Sequence, residues 1–584
     1  MTASPKRTAV PEVAYSGVCM LKRDKWAIAC DPSAMIMMKR IFPRLDKGDL
    51  GQVEVKRTEE VDRLLQWFMD LFPLEMDARD LAVLHGGAES HRARGRVVRE
   101  LQSADYVPTA YALAVPPRDY QRVAADMAER MNRLLLADDT GVGKTISAIT
   151  LLSREHCRPA LVVCPAGNMP RQWREQLDRC LPGLRIFTCV GQTPTTPSVG
   201  GKFPDVVICP YHLLQYWGDV LTGRVRTVVF DEVQDLRHTE NNKYPVARAI
   251  SAGADFALGM SATPSYNYGG EYFAVLDAIN PGCLGSWEEF DREWCVEGGE
   301  RRKKRVADPD AFGFHLDKSG LRLRRTRKDV GRELPPLTIA PTPCACNPAE
   351  LNRIAGKAGA LARILTSRTS ANFDKMKAAA DLDREIRQAT GIGKAPHVAE
   401  FIAALLEGGE RSVVCFLHHK AVYDLVEQGL KAAFGPAFRV GLYNGDASDR
   451  QKQEALRGFK AGEIPVLLMG LRAGSAGLDG LQHVCRTVVH GELDWSPWIH
   501  HQATSRIDRD GQTDPVTAYW LLSDEGSDPM IAEVCGAKRQ QGVIISDPKE
   551  ERRAVEQVDV NRATKLAEMV LAQRRPGILS RTGL

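Results

Sequence analysis

The residues able to do chemistry fall in short clusters. In LLLADDTGVGKTISAI (134–149) an apolar run gives way to a turn ending in Gly143-Lys144-Thr145, where a helical pattern opens. Glycines at 141 and 143 let backbone N–H groups approach phosphate oxygens, Lys144 is placed to reach β/γ-phosphates, and Thr145 can ligate Mg²⁺. The regular phosphate loop has a glycine five residues before Gly143, and Asp138 stands there instead. An ordinary strand-turn-helix corner is the alternative for this stretch taken alone. TVVFDEVQ (227–234) ends an apolar run in two carboxylates. Nucleotide hydrolysis uses one to hold Mg²⁺, here Asp231, and one to orient or deprotonate the attacking water, here Glu232. SATP (261–264) ends the next run in hydroxyls that can link an acidic site to a second ligand, unless it is a plain β-turn.

Far downstream, HQATSRIDRDGQ (501–512) spaces Gln502, Arg506 and Arg509 by four and three residues. On a helix that spacing puts the three side chains on one face, and two guanidiniums there suit a γ-phosphate in transfer. Because Asp508 and Asp510 interleave, a salt-bridged exposed helix is the alternative.

These clusters need elements to hold them. From about residue 105 the chain alternates strand and helix: after the phosphate loop come ALVVCP (160–165), RIFTCV (185–190), DVVICP (205–210), TVVFDE (227–232) and DFALGMSAT (255–263). Short apolar strands separated by helices predict a parallel sheet covered on both faces, with ligands at the carboxyl ends of the strands. A second series follows in SVVCFL (412–417), FRVGLY (438–443), VLLM (466–469), RTVVHG (486–491) and VTAYWLL (516–522). Between them NPAE (347–350) starts a helix and two Ala- and Lys-rich stretches read as a connection. Residues 1–104 read as a small α/β accessory domain, with strand-like WAIAC and VEV and a helix entered at Thr58. The expected division is therefore 1–104 accessory, 105–340 first lobe, 341–390 helical connection, 391–545 second lobe and 546–584 a charged helical tail.

Composition narrows the class without naming a partner. Lys plus Arg total 78 against 74 Asp plus Glu, so any basic groove must come from local placement. HRARGRVVR (91–99) and ERRKKR (300–305) are candidate phosphate patches, though solvated faces explain them as well. The 14 cysteines contain no CxxC, which argues against zinc and for reduced thiols. No segment approaches 18 uninterrupted apolar residues, so no membrane partner is expected.

The order DDTGVGKT, LVVCPAGNMPRQW, DEVQ, SATP, LRRTRKDVGRELPP, LYNGDASDR, LRAGSAGLDGLQ, ELDWSPWIHHQATSRIDRDGQ resembles helicase superfamily 2, and within it the Swi/Snf-type DNA translocases. It covers roughly residues 105–530. FLHHK (416–420) and GKAPHVAEFI resemble the annealing-helicase branch most. The resemblance implies two tandem RecA-like lobes, an α/β fold, with ATP and Mg²⁺ in the cleft between them and duplex or forked DNA as partner. Carried over by position, Gln121 would recognise adenine and Lys144 and Thr145 the phosphates and Mg²⁺. Asp231 and Glu232 would be the metal and water residues, and Gln502, Arg506 and Arg509 would complete the site. Ser261, Thr263 and Gln234, which replaces a usual histidine, would couple it to DNA. Segments around Pro165, Tyr211, His418, Gly445, Gly474 and Gly477 would line the DNA track, where Asp479 replaces a usual asparagine. The implied activity is a DNA-dependent ATPase moving on duplex DNA without conventional unwinding. A nucleotide-gated DNA-binding scaffold and an RNA-unwinding enzyme are the competing readings. The expected location is the cytoplasm of a bacterial or phage-infected cell, or the nucleus if the source is eukaryotic.

Overall fold

The computed structural model describes residues 15–48, 51–264, 270–296, 304–332, 334–367, 372–471 and 480–533, with residues 535 and 567. The strand-helix alternation folds into two parallel sheets, one per lobe. In the first lobe the strands are β5 (Arg133–Leu136), β6 (Ala160–Cys164), β7 (Ile186–Thr188), β8 (Val206–Pro210), β9 (Thr227–Asp231), β10 (Phe256–Met260) and β11 (Arg322–Leu323). Their order is β11-β5-β10-β9-β6-β8-β7, parallel throughout. The Val-, Leu- and Ile-rich runs that make β6, β8 and β9 are buried along their whole length, as a sheet with helices on both faces demands.

The second lobe contains β12 (Leu337–Pro343), β13 (Val413–Leu417), β14 (Val440–Tyr443), β15 (Val466–Gly470), β16 (Thr487–His490) and β17 (Val516–Leu522), in the order β12-β17-β16-β13-β15-β14 and again parallel. The expected boundary at 340 falls inside β12, which pairs along its length with β17 and so belongs to the second sheet. Its prolines and half-exposed pattern suit an edge strand and hid it from a search for apolar runs. The connecting helices are Pro348–Thr366, capped by Asn347 as its sequence predicts, and Asn372–Glu407, which continues past residue 390 into the second lobe.

The accessory domain is a four-stranded sheet, β3-β2-β1-β4, built from β1 (Gly17–Lys22), β2 (Lys25–Cys30), β3 (Gln52–Lys56) and β4 (Leu74–Glu75). Its core closes around fully buried Trp26, whose Nε1 donates to Asp62 Oδ1 at 2.7 Å. The domain docks on helix Trp287–Trp294 of the first lobe, where buried Arg44 pairs with Glu293 at 2.8 Å and with Glu60 of its own domain at 3.2 Å, and the Lys56 N–H donates to Glu289 at 2.6 Å. Helix Ala78–Leu101 then carries Val98 and Leu101 into the first-lobe core, so packing does not break at residue 104. Among the described residues, no helix is long and apolar enough to cross a membrane.

Candidate active site between the lobes

The phosphate loop follows β5 and ends in helix Lys144–Leu152, whose N-cap is Gly143 at φ +90°. A side chain there would also collide with Gln121, since a Cβ would lie 2.5 Å from its Nε2. The chain conformation therefore favours glycine, and any side chain there would have to displace the Gln121 amide. Lys144 Nζ donates to the carbonyls of Asp138 at 2.8 Å and Asp139 at 3.0 Å. Burial lowers its pKa, and Glu232, Asp138 and Asp139 work against that shift. The amino group is thus held on the loop by two carbonyls and is poorly hydrated, a setting in which a nearby anion would favour its charged form.

Gln121 was expected at adenine. In this structure its Oε1 accepts from the Arg118 N–H at 3.0 Å while Nε2 donates to the loop carbonyls of Val142 and Gly143 at 3.3 and 3.4 Å. Its side chain is 5% exposed. It braces the loop from behind, together with Tyr120, whose hydroxyl donates to the Val142 carbonyl at 3.0 Å.

Asp231 closes β9 and is buried. Its Oδ1 accepts from the Glu232 N–H at 3.1 Å and its Oδ2 from Trp173 Nε1 at 2.9 Å. Burial and the neighbouring Glu232 push the pKa of Asp231 up, and the Trp173 bond and Lys144 draw it back. Trp173 is the tryptophan of LVVCPAGNMPRQW, so the helix after β6 fixes the orientation of this carboxylate, in the manner of a supporting shell round a metal ligand. Glu232 sits at φ +52°, a left-handed conformation that non-glycine residues rarely adopt and that cost concentrates at functional turns. Gln234 Nε2 donates to Glu232 Oε2 at 2.6 Å. Because a carboxylate only accepts, the amide nitrogen must face it. Gln234, expected to act in coupling to DNA, therefore touches Glu232 directly.

Thr145 and Asp231 are hard oxygen donors, one at a helix N-terminus and one on a buried carboxylate, which fits Mg²⁺.

Ser261 and Thr263 follow β10 and are buried; Ser261 Oγ accepts from the Thr263 N–H at 2.9 Å. Thr263 Oγ1 accepts from Gln502 of the second lobe at 3.5 Å, which brings the two lobes' motifs into register. The predicted continuous helical face for Gln502, Arg506 and Arg509 is not formed. Helix Pro497–Thr504 stops after Gln502, and tighter turns carry the chain on, with the Arg506 N–H bonded to the Ala503 carbonyl and the Arg509 N–H to that of Ile507. Arg509 nevertheless reaches the loop: its Cα lies 3.7 Å from where a Cβ on Gly141 would sit. The interleaved acids reach beyond their own turn. Asp508 pairs with Arg327 at 2.8 Å and Asp510 with Arg332 and, at 3.7 Å, Arg118, all from outside the second-lobe turn.

Of the residues expected along a DNA track, Pro165 follows β6, His418 follows β13 and Gly445 follows β14, all accessible at the carboxyl ends of their sheets. Tyr211 is a correction. It begins helix Tyr211–Leu221 and is 2% exposed in the first-lobe core, with Lys243 5.3 Å from its ring, so its side chain cannot meet DNA. Its placement on the track came from its position in the family resemblance alone. Gly474 and Gly477, with Asp479, lie outside the described residues.

Two sets of residues escaped the sequence reading. Glu492, 5% exposed, accepts from the N–H groups of His418 and His419 at 2.7 and 2.9 Å and faces His419 Nδ1 at 2.6 Å. Burial works to raise its pKa, but the bonds from His419 and the two backbone N–H groups hold it below the usual range. It fastens the His418 turn. The arginines of LRRTRKDV, known from sequence only as part of the family pattern, are the second set. β11 lies beside β5, so Arg324 reaches Asp139 at 3.1 Å, Arg325 grips Asp138 at 2.5 and 3.1 Å, and Arg327 reaches Thr140.

With this geometry in view, residues 62–374 match the SNF2-related domain family, more than half of the chain, and residues 394–511 match the helicase conserved C-terminal domain. The chain belongs to the SNF2-related family. Among its relatives are the SWI/SNF-related matrix-associated actin-dependent regulator of chromatin subfamily A-like protein 1 of Xenopus tropicalis, 24% identical over 83% of this chain and 51% of that protein, and the mouse DNA annealing helicase and endonuclease ZRANB3, 23% identical over 73% and 40%. The ATP-dependent helicase/translocase YwqA of Bacillus subtilis, so named as a putative activity, is 23% identical over 86% of this chain and 56% of its own length. This SNF2-related chain thus spans about half the length of these relatives. The resemblance to Swi/Snf-type proteins near the annealing helicases holds.

Proposed function

We propose that the protein hydrolyses ATP in the cleft between its lobes and uses the cycle to move along double-stranded DNA without conventional strand separation. The observation that carries this reading is the meeting of both lobes at one loop: Lys144, Asp231 and Glu232 stand at the carboxyl edge of the first sheet, and Arg509 of the second lobe lies against Gly141. Lys144 would leave the Asp138 and Asp139 carbonyls for the β/γ-phosphates. Thr145 and Asp231 would hold Mg²⁺, which when bound supplies charge neutralisation at those phosphates. Glu232, oriented by Gln234, would take up the attacking water and its proton. Arg506 and Arg509 would meet charge developing on the γ-phosphate, a role that contributes about 10³ to 10⁵ in rate.

DNA would be gripped through its phosphates at Pro165, His418 and Gly445, with the segment of Gly474 and Gly477. The mouse relative, named a DNA annealing helicase and endonuclease, supports that partner. Alternate grip by two lobes gives a step near one base pair, or ~3.4 Å along one strand. We retain the division into accessory domain, two lobes and helical connection, with β12 moved to the second lobe. The direct Gln234 contact with Glu232 favours turnover over a passive scaffold. The deciding experiment measures ATPase rate with duplex, single-stranded and forked DNA and duplex RNA, alongside displacement of a triplex-forming strand. Duplex DNA should stimulate at least as well as single strands, and a triplex strand should be displaced. Efficient ATP-dependent unwinding of a plain tailed duplex would refute the reading.

A further inference from the structure

Arg327 joins the two halves of the cleft. On one side its Nε donates to the Thr140 carbonyl at 2.8 Å and its Nη2 to Thr140 Oγ1 at 3.1 Å. On the other, Nη1 donates to Asp508 Oδ2 at 2.8 Å and Nη2 to the Asp508 carbonyl at 2.7 Å. Thr140 belongs to the phosphate loop, and its hydroxyl also lies 3.1 Å from Ser505 Oγ. Asp508 immediately precedes Arg509. The side chains of Arg327 and Asp508 are 17% and 8% exposed, so the bond is largely shielded from solvent. A Cβ on Gly141 would lie 3.6 Å from Arg327 Nη2 and 3.7 Å from the Arg509 Cα, which puts the guanidinium and the backbone of the turn that carries Arg509 side by side over the loop.

We propose that Arg327 is an interlobe bolt, a positioning residue that sets the distance between the phosphate loop and the arginine-bearing turn. The inference rests on the reading that ATP is hydrolysed in this cleft. A planar guanidinium can present two edges to two partners at fixed separation, which a lysine ammonium cannot. The loop itself is held from within the first lobe by Gln121, Tyr120, Arg324 and Arg325. Removing Arg327 should therefore leave nucleotide binding in place and misplace Arg509, and a misplacement of about 1 Å costs on the order of 10²-fold in rate.

The test uses the full chain and the variants Arg327→Met, Arg327→Lys, Asp508→Asn and the Met/Asn double variant. Affinity for a fluorescent ATP analogue, DNA-stimulated kcat, and hydrogen exchange without nucleotide are measured for each. Arg327→Met should bind the analogue as the wild type does and lose on the order of 10²-fold in kcat. The Lys variant should be restored only in part, and the double variant should be no slower than the worse single one. Exchange should rise together in residues 140–143 and 505–512. Wild-type turnover in Arg327→Met, multiplying effects in the double variant, or loss of analogue affinity in step with kcat would overturn the proposal. If the wild type hydrolyses no ATP with any DNA, the reading of the function fails, while exchange still decides the bolt: unchanged exchange in either segment in Arg327→Met overturns it.

Discussion

Asp138 stands where a regular phosphate loop has glycine, and restoring that glycine should damage the protein. The Asp138 side chain is 0% exposed, and Arg325 holds both of its oxygens, Nη2 to Oδ2 at 2.5 Å and Nε to Oδ1 at 3.1 Å. Arg325 Nη1 also donates to the Tyr120 carbonyl at 2.6 Å. Removing one member of a buried pair costs about 3 to 5 kcal/mol, because the other charge is left without a partner or water. Arg325→Met keeps most of the stem volume and strands the carboxylate, so a loss of about 3 to 5 kcal/mol is expected. Asp138→Gly strands the guanidinium, whose side chain is 14% exposed and so recovers some water; about 3 kcal/mol is expected there. Added chain freedom contributes about 0.5 to 1 kcal/mol more. Since Lys144 bonds the Asp138 carbonyl, nucleotide affinity should fall too. Asp138→Asn combined with Arg325→Met removes both charges and should recover at least half of the Arg325→Met loss. The assay is urea denaturation of the full chain followed by bound fluorescent nucleotide, which isolates the first-lobe transition in a chain too large for one two-state step. Wild-type stability with undiminished nucleotide binding in Asp138→Gly would refute the reasoning.

Glu232→Gln should keep nucleotide binding and lose turnover, whereas Lys144→Ala should weaken both; equal ATPase rates in wild type and Glu232→Gln would remove Glu232 from its role. Arg506→Ala or Arg509→Ala should lower kcat by orders of magnitude, as expected of a guanidinium that meets charge developing on the γ-phosphate, and a change of only a few-fold with normal DNA stimulation would remove the residue from that role. His490 and His500 are 0% exposed in the second lobe, and burial, with His490 further lowered by the charge of His500, drives the pKa of His490 well down and that of His500 to about 4. Asp494 opposes the shift at His500 and Arg387 adds to it. The unfolded chain binds protons at both imidazoles below about pH 6.5 and the folded lobe does not, so stability should fall as pH drops from about 6.5 towards 4, by up to about 2.7 kcal/mol per unit. Denaturation at several pH values checks this, and His500→Asn should halve the slope. A chain beginning at residue 105 loses Val98 and Leu101 from the first-lobe core and should melt lower than one beginning at Ala78, which calorimetry would detect.

The strands were legible because a covered parallel sheet demands continuous apolar runs. DVVICP and TVVFDE became β8 and β9 within a residue of their expected limits. β12 was not legible, because an edge strand that pairs on one side keeps polar residues and prolines. The loop, the acidic pair and the hydroxyl strand end are local chemistry and could be read as such. Tyr211 was expected on the track by its position in the family pattern, which carries no information on burial, and the first-lobe core takes its ring.

LRRTRKDV shows where reading residue by residue stops. Three arginines in a row of charges suggest a solvated or phosphate-binding surface. What turns them inward is a two-residue strand, β11, placed beside β5 by a crossover from β10 through three helices. The Leu135, Ala137 and Asp139 N–H groups all bond carbonyls of the 321–325 segment, so each arginine is delivered to a set point on the phosphate loop. Asp138 is tolerated in the loop for the same reason. A sequence departure at one motif is matched by a residue nearly 190 positions away, and only the sheet order brings the two together.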